Sequence, residues 1–96
     1  MKAYLIIDLK VVDLDGFMEY VGRIPALIEK YQGQYLVQGV EPEFIEGEGD
    51  LERSVVLEFP SRTLAREFLE ARSQSDLHDI WSRTTASRIL LVDGCT

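Results

Sequence analysis

The chain has 96 residues and a mass of 11.0 kDa, the size of one small domain. Seventeen acidic side chains against ten basic ones give a net charge of −7. This charge disfavours binding to phosphate backbones and to anionic membrane surfaces, so neither nucleic acid nor membrane is an expected partner. One cysteine cannot form an intrachain disulfide, and no apolar run is long enough for a signal sequence or a membrane span. We expect one soluble, cytoplasmic domain over residues 1–96, with no metal and no cofactor.

The first half of the sequence predicts a strand, a helix and a second strand. Residues 3–12 (AYLIIDLKVV) are rich in strand-forming side chains and end in a turn-prone segment. Apolar residues then recur at helical spacing, with Asp15 as the predicted N-cap. Pro25 predicts a kink or a local break, because proline removes a helical hydrogen bond, and Gly33 is the predicted C-cap. The second strand is expected over residues 34–40.

The second half predicts a strand, a helix in two parts and a final strand. The third strand covers residues 54–59, and Ser61 is placed to cap the following helix. A serine-rich interruption precedes a shorter helix, for which Asp76 is the predicted cap, and the last strand covers residues 87–92. The order β-α-β-β-α-β, with the second helix split in two, predicts an α+β fold of the ferredoxin-like type. We expect a four-stranded antiparallel sheet in the order 4-1-3-2, with the helices on one face.

The predicted strands carry apolar side chains on both faces, although helices cover only one of them. Leu5, Ile7 and Leu9 are expected to face the helices. The opposite face, called the outer face here, is predicted to hold the apolar residues Tyr4, Ile6, Leu36, Val56, Leu90 and Val92. A contiguous apolar patch usually marks an interaction surface, so we expect a homodimer in which a second copy covers it. Ordinary scattered exposure of apolar side chains is the alternative.

Polar side chains on the outer face are predicted to gather at one end of the sheet. We expect the first and third strands to run parallel, which would place Asp8 and Glu58 at the same end. Arg88 begins the fourth strand beside Asp8, and Gln34 is expected close to Glu58. Gln38 is also assigned to this face.

Two hypotheses explain this polar cluster. In the first, the cluster is a small-molecule pocket, in which Asp8 or Glu58 is a candidate general base. The ligand-binding residues would then be Arg88, Gln34, Gln38, Tyr4 and Ser87, with Arg88 binding a carboxylate or an enolate. In the second, Asp8, Glu58 and Arg88 form an ion-pair network at a dimer seam. Residue types alone favour the ion-pair network.

Several segments of the sequence resemble the DUF1330 family. These are residues 2–4 (KAY), 25–31 (PALIEKY), Gly33, 36–37 (LV), Gly39, 55–61 (VVLEFPS), and 87–88 (SR) through 92–94 (VDG). The resemblance implies a dimeric α/β barrel, in which ferredoxin-like protomers pair sheet to sheet. Glu58, Ser87 and Arg88 match the family pattern, whereas members often have arginine at positions 34 and 38.

The resemblance also implies a class of function. Relatives in the dimeric α/β-barrel superfamily include cofactor-free monooxygenases, isomerases and decarboxylases that act on small organic molecules, and also members with no known activity. We therefore expect a homodimer that binds a small organic molecule between sheet and helices, with a cofactor-free reaction as one hypothesis. A non-catalytic structural or regulatory dimer is the alternative.

Overall fold

The computed structural model describes all residues from 1 to 96 as a four-stranded sheet covered on one side by three helices. In chain order, the elements are β1 (Ala3–Leu9), α1 (Leu14–Lys30), β2 (Gln34–Val40), β3 (Arg53–Phe59), α2 (Arg62–Ser73), α3 (Asp76–Thr84) and β4 (Arg88–Asp93). The sheet order is β2-β3-β1-β4, and all neighbouring strands are antiparallel. The predicted α+β ferredoxin-like architecture, with its split second helix, is confirmed. None of the helices is long and apolar enough to cross a bilayer.

The hydrophobic core lies between the sheet and the helices. Alternate residues of β1 are buried, and they include Leu5, Ile7 and Leu9, as predicted. The other buried apolar residues are Ala3, Phe17, Tyr20, Ile24, Ile28, Leu57, Phe59, Ala65, Phe68, Leu77 and Ile80. Burying a large apolar side chain contributes about 1.5–3 kcal/mol, so this alternation decides which face of each strand meets the helices.

Helix α1 begins earlier than predicted and continues through its proline. The Asp13 side chain accepts a hydrogen bond from the Gly16 N–H at 3.2 Å, so Asp13 is the N-cap and the predicted cap, Asp15, lies inside the first turn. The helix is uninterrupted at Pro25, so the predicted local break is wrong. An interior proline costs roughly 3 kcal/mol, and burial of four large side chains of α1 outweighs that cost.

The caps of the two later helices are both serines. Ser61 Oγ accepts a hydrogen bond from the Leu64 N–H at 3.2 Å, which confirms the predicted cap of α2. Ser75 Oγ accepts one from the Leu77 N–H at 3.2 Å, so Ser75, rather than the predicted Asp76, caps α3. Asp76 lies in the first turn, where a negative charge is favourable near the positive end of the helix dipole.

The chain leaves α1 through a left-handed residue that is not a glycine. Tyr31 is the C-cap, Gln32 has φ +65°, and the Gly33 N–H donates to the Ile28 carbonyl oxygen at 2.9 Å. The prediction that Gly33 is the C-cap is therefore wrong. A Cβ atom on Gly33 would lie 2.6 Å from Cε1 of Phe59, so glycine is needed there because the backbone approaches the core closely.

Strand β2 is irregular, and its irregularity changes which face some of its residues occupy. Its pairing with β3 shifts register between Tyr35 and Val37, and again between Gln38 and Val40. Each shift of one residue reverses the side-chain alternation relative to the neighbouring strand. Gln38 therefore lies opposite Val55 on the helix-facing side of the sheet, and its predicted place on the outer face is wrong.

Candidate ligand-binding site

The polar side chains predicted to converge on the outer face form two separate groups. Strand β1 pairs with β3 so that Asp8 is opposite Ser54 and Tyr4 is opposite Glu58. Asp8 and Glu58 therefore lie toward opposite ends of the sheet, roughly 13 Å apart along the strands. The predicted convergence of Asp8, Glu58 and Arg88 is wrong, because β1 and β3 are antiparallel rather than parallel.

Each of the two groups is paired within itself. Arg88 Nε donates to Asp8 Oδ2 at 3.0 Å, and Arg88 Nη2 forms an ion pair with the same oxygen. At the other end, Glu58 Oε1 accepts a hydrogen bond from Gln34 Nε2 at 3.2 Å and lies 3.2 Å from Lys2 Nζ. The predicted neighbours Asp8–Arg88 and Gln34–Glu58 are thus confirmed, as two pairs rather than one cluster.

The two remaining residues of the predicted pocket, Tyr4 and Ser87, lie apart from each other. Tyr4 is on the outer face, in register with Glu58 and Val92. Ser87 immediately precedes β4, and its Oγ is buried without a hydrogen-bond partner. The binding roles of both residues stay predictions.

A cavity of about 360 Å³ lies on the other side of the sheet, between the strands and the helices. Its wall is predominantly apolar and is formed by inward residues of all four strands together with α1, α2 and α3. The polar side chains on the wall are Tyr20, Tyr35, Gln38, Arg53 and Arg72. No carboxylate and no histidine lines the cavity. Of the residues predicted for the pocket, only Gln38 reaches it.

The mouth of the cavity lies between α1 and the edge strand β2. On the helix side, the apolar residues Leu14, Met18 and Val21 line the cavity and yet are exposed. On the sheet side, Gln38 and Arg53 are also exposed wall residues. Exposed apolar side chains grouped in this way are typical of interaction sites and ligand-binding grooves.

Arg72 is the unusual residue of the cavity wall, because it is only 5% exposed. Its Nε donates to the Tyr20 hydroxyl at 2.8 Å, and its guanidinium carbon lies 4.9 Å from the centroid of the Trp81 ring. No carboxylate lies within ion-pair distance, and Nη2 is buried without a hydrogen-bond partner.

The surroundings of Arg72 offset only part of the cost of burying its charge. Removing an ion from water costs several kcal/mol. A cation in the last turn of a helix gains about 0.3–1 kcal/mol, and a desolvated cation–π contact gains about 2 kcal/mol. A buried guanidinium with an unused donor is therefore the least satisfied group in this part of the molecule.

The two tyrosines on the wall are neutral near neutral pH. Burial raises the pKa of the Tyr20 phenol, and the charge and hydrogen bond of Arg72 oppose this rise only in part. Burial also raises the pKa of Tyr35, with a smaller contribution from Tyr20. Since Arg53 is exposed at the mouth, Arg72 is the only charge in the inner part of the cavity.

Arg72 is not among the site residues predicted above, although the sequence contains a signal for it. Helix α2 buries Ala65, Phe68 and Arg72, which share one helix face. A charged residue at a position where the periodicity favours an apolar one is that signal. Tyr20 and Trp81 belong to an aromatic cluster with Phe17, with ring centroids of Tyr20 and Trp81 5.0 Å apart.

Comparisons with known proteins agree with this architecture. Residues 2–95 match the family described as "Domain of unknown function (DUF1330)". The RPA0582 protein of Rhodopseudomonas palustris, a protein of unknown function, is 12% identical, with a TM-score of 0.74 over 99% of this chain and 83% of that one. SnoaB of Streptomyces nogalater, a cofactor-independent oxygenase, is 12% identical, with a TM-score of 0.67 over 99% of this chain and 94% of that one.

The de novo designed protein Foldit4 has a TM-score of 0.64 at 9% identity, covering 98% of this chain and 99% of that one. Similarity at these low identities shows a shared fold and nothing more. Among proteins with curated descriptions, none matches the sequence.

Proposed function

The chain belongs to the DUF1330 family, and we propose that this member binds a small organic molecule in the cavity between the sheet and the helices. The cavity itself is the observation that carries the proposal. Its volume of about 360 Å³ falls in the range of small-molecule sites, and its apolar wall carries a few polar groups at fixed places. Voids larger than a water molecule are few in protein interiors, so a hollow of this size supports a binding role.

The proposal is for binding rather than for acid–base catalysis. Asp8 and Glu58, the predicted bases, lie on the outer face, and the cavity wall offers no carboxylate or histidine in their place. A cofactor-independent reaction, such as the oxygenation named for SnoaB, would need a substrate that reacts without a strong base from this wall.

We propose in addition that a second copy of the chain covers the outer face. That face measures roughly 400 Å² from strand spacing and length. Its exposed or half-buried apolar residues are Tyr4, Ile6, Leu36, Val37, Val40, Val56, Leu90 and Val92. In this arrangement, the pairs Asp8–Arg88 and Lys2–Glu58 border the dimer seam, as in the second hypothesis for the polar residues of this face. The ligand occupies the opposite side of the sheet.

Two neighbouring valines of β3 provide a matched test of the binding site. Val55 lines the cavity, whereas Val56 lies on the outer face. Phenylacetate and its neutral isostere phenylacetamide serve as probes, and the fluorescence of the single tryptophan, Trp81, reports on the cavity wall. We expect saturable binding of at least one probe, weakened about tenfold or more in Val55→Phe and unchanged in Val56→Phe. Absence of any response to either probe up to about 10 mM would contradict the proposal.

Light scattering tests the dimer. At micromolar concentration, we expect a mass of twice the 11.0 kDa of one chain. Leu90→Glu places a charge in the exposed apolar patch and should reduce the mass to that of one chain. A single-chain mass for the unmodified protein would exclude the dimer.

A further inference from the structure

We infer that the molecule bound in the cavity is an organic carboxylate whose anionic group is held by Arg72. The inference rests on the proposed binding function and specifies the chemical class of the ligand. It starts from one fact, which is that a guanidinium is buried on the wall of an otherwise apolar cavity without a counter-charge.

The charges on the wall point to an anion. The chain has a net charge of −7, yet both charged side chains that line the cavity, Arg53 and Arg72, are cationic. Arg53 is exposed at the mouth, whereas Arg72 is buried deep in the wall. A cationic ligand would be repelled by both, and a neutral apolar ligand would leave the charge of Arg72 uncompensated.

The hydrogen-bond donors at Arg72 suit a planar oxyanion. Nη2 is unpartnered, and the Tyr20 hydroxyl accepts a hydrogen bond from Arg72 Nε while its own proton has no acceptor within the protein. Arg72 and Tyr20 both line the cavity, so an unused guanidinium donor and a neighbouring phenol lie next to each other in its wall. A carboxylate has two oxygens that can accept from these two donors, and a hydrogen bond between a guanidinium and a carboxylate is among the stronger ones because both groups are charged.

The rest of the wall suits an apolar and preferably planar body. Phe17, Tyr20 and Trp81 form an aromatic cluster beside Arg72, and the ring centroids of Phe17 and Trp81 are 6.1 Å apart. The remaining wall residues are mainly aliphatic. The ligand class that fits this wall is a carboxylate at the end of an apolar or aromatic group, and phenylacetate is a small member of that class.

Phenylacetate and phenylacetamide differ in charge and hardly in shape, so their affinities test the inference directly. Calorimetry and Trp81 fluorescence on the full chain provide two independent readouts. We expect the unmodified protein to bind phenylacetate at least about tenfold more tightly than phenylacetamide. Arg72→Met should remove this preference and leave the affinity for the amide within about threefold, while Arg72→Lys should retain part of it. Arg66→Met is the control, because Arg66 is exposed on the same helix and does not line this cavity.

The possible failures separate the inference from the proposed function. Equal affinities for the two probes in the unmodified protein would overturn the carboxylate inference and leave the binding site in place. A preference for phenylacetate that survives in Arg72→Met would overturn the role of Arg72. Absence of binding by both probes would overturn the proposed function and the inference with it. The comparison in the unmodified protein decides the question even where Arg72→Met fails to fold.

Discussion

On the outer face of the sheet, Arg88 and Glu58 each have a partner of opposite charge, whereas on the helix-facing side Arg72 is buried with none. The outer pairs are partly exposed and cost little to form, since exposed ion pairs contribute about 0–1 kcal/mol. Burial of an unpaired guanidinium costs several kcal/mol. This contrast is the reason why we propose the binding site on the helix-facing side, where one charge is unpaired, rather than among the paired polar residues of the outer face.

The largest difference in unfolding free energy between the two faces is expected when neighbouring residues of β1 are truncated to alanine. Leu5 is completely buried under the helices, so Leu5→Ala should cost about 2–5 kcal/mol of unfolding free energy. Ile6 is half-buried on the outer face, so Ile6→Ala should cost less, with a loss that grows at protein concentrations where a second copy covers the face. Urea denaturation at two protein concentrations measures both. If Leu5→Ala and Ile6→Ala lose the same unfolding free energy at both protein concentrations, the two faces do not differ in burial as described.

A smaller loss of stability is expected from a substitution in the part of the helix-facing side that is tightly packed and lies outside the cavity. Gly33 lies against Phe59, which does not line the cavity, and a Cβ on Gly33 would approach the ring to 2.6 Å. Gly33→Ala should therefore destabilise the fold by about 1–3 kcal/mol.

The adjacent Gln32 is the matched control for Gly33. Because Gln32 has a left-handed backbone, Gln32→Gly should stabilise by about 1 kcal/mol. Thermal denaturation of the two variants measures both effects. A neutral Gly33→Ala would contradict the tight packing of Gly33 against Phe59.

The smallest effect is expected at the exposed ion pair on the outer face. The Arg88 side chain is 72% exposed, so Arg88→Ala should change the unfolding free energy of the protomer by less than about 1 kcal/mol. Its affinity for phenylacetate should equal that of the unmodified protein, because Arg88 lies across the sheet from the cavity. Loss of phenylacetate binding in this variant would indicate that the ligand binds on the outer face, as first predicted from the sequence.

The architecture could be predicted from the sequence because short-range patterns specify it. Alternation predicted the burial of Leu5, Ile7 and Leu9, and the order of elements predicted the sheet order. The prediction that Glu58 lies beside Asp8 is wrong because an antiparallel sheet in the order 4-1-3-2 sets β1 and β3 in opposite directions.

Other features depend on tertiary packing and have no local pattern. The register shifts that turn Gln38 toward the helices follow from pairing with β3, and side-chain alternation alone does not reveal them. The cavity arises from the spacing between α1 and the sheet, which no single segment specifies. In the sequence, Arg72 is visible only as a charge on the apolar face of α2, and its place on the cavity wall follows from the packing of α2 against the other elements.

The place of the ligand can be read from nuclear magnetic resonance of the arginine Nε–H and tryptophan indole N–H groups during a phenylacetate titration. We expect the Arg72 and Trp81 signals to shift together and to saturate, while the Arg88 signal stays in place. A shift of the Arg88 signal with those of Arg72 and Trp81 unchanged would overturn the proposed site on the helix-facing side of the sheet.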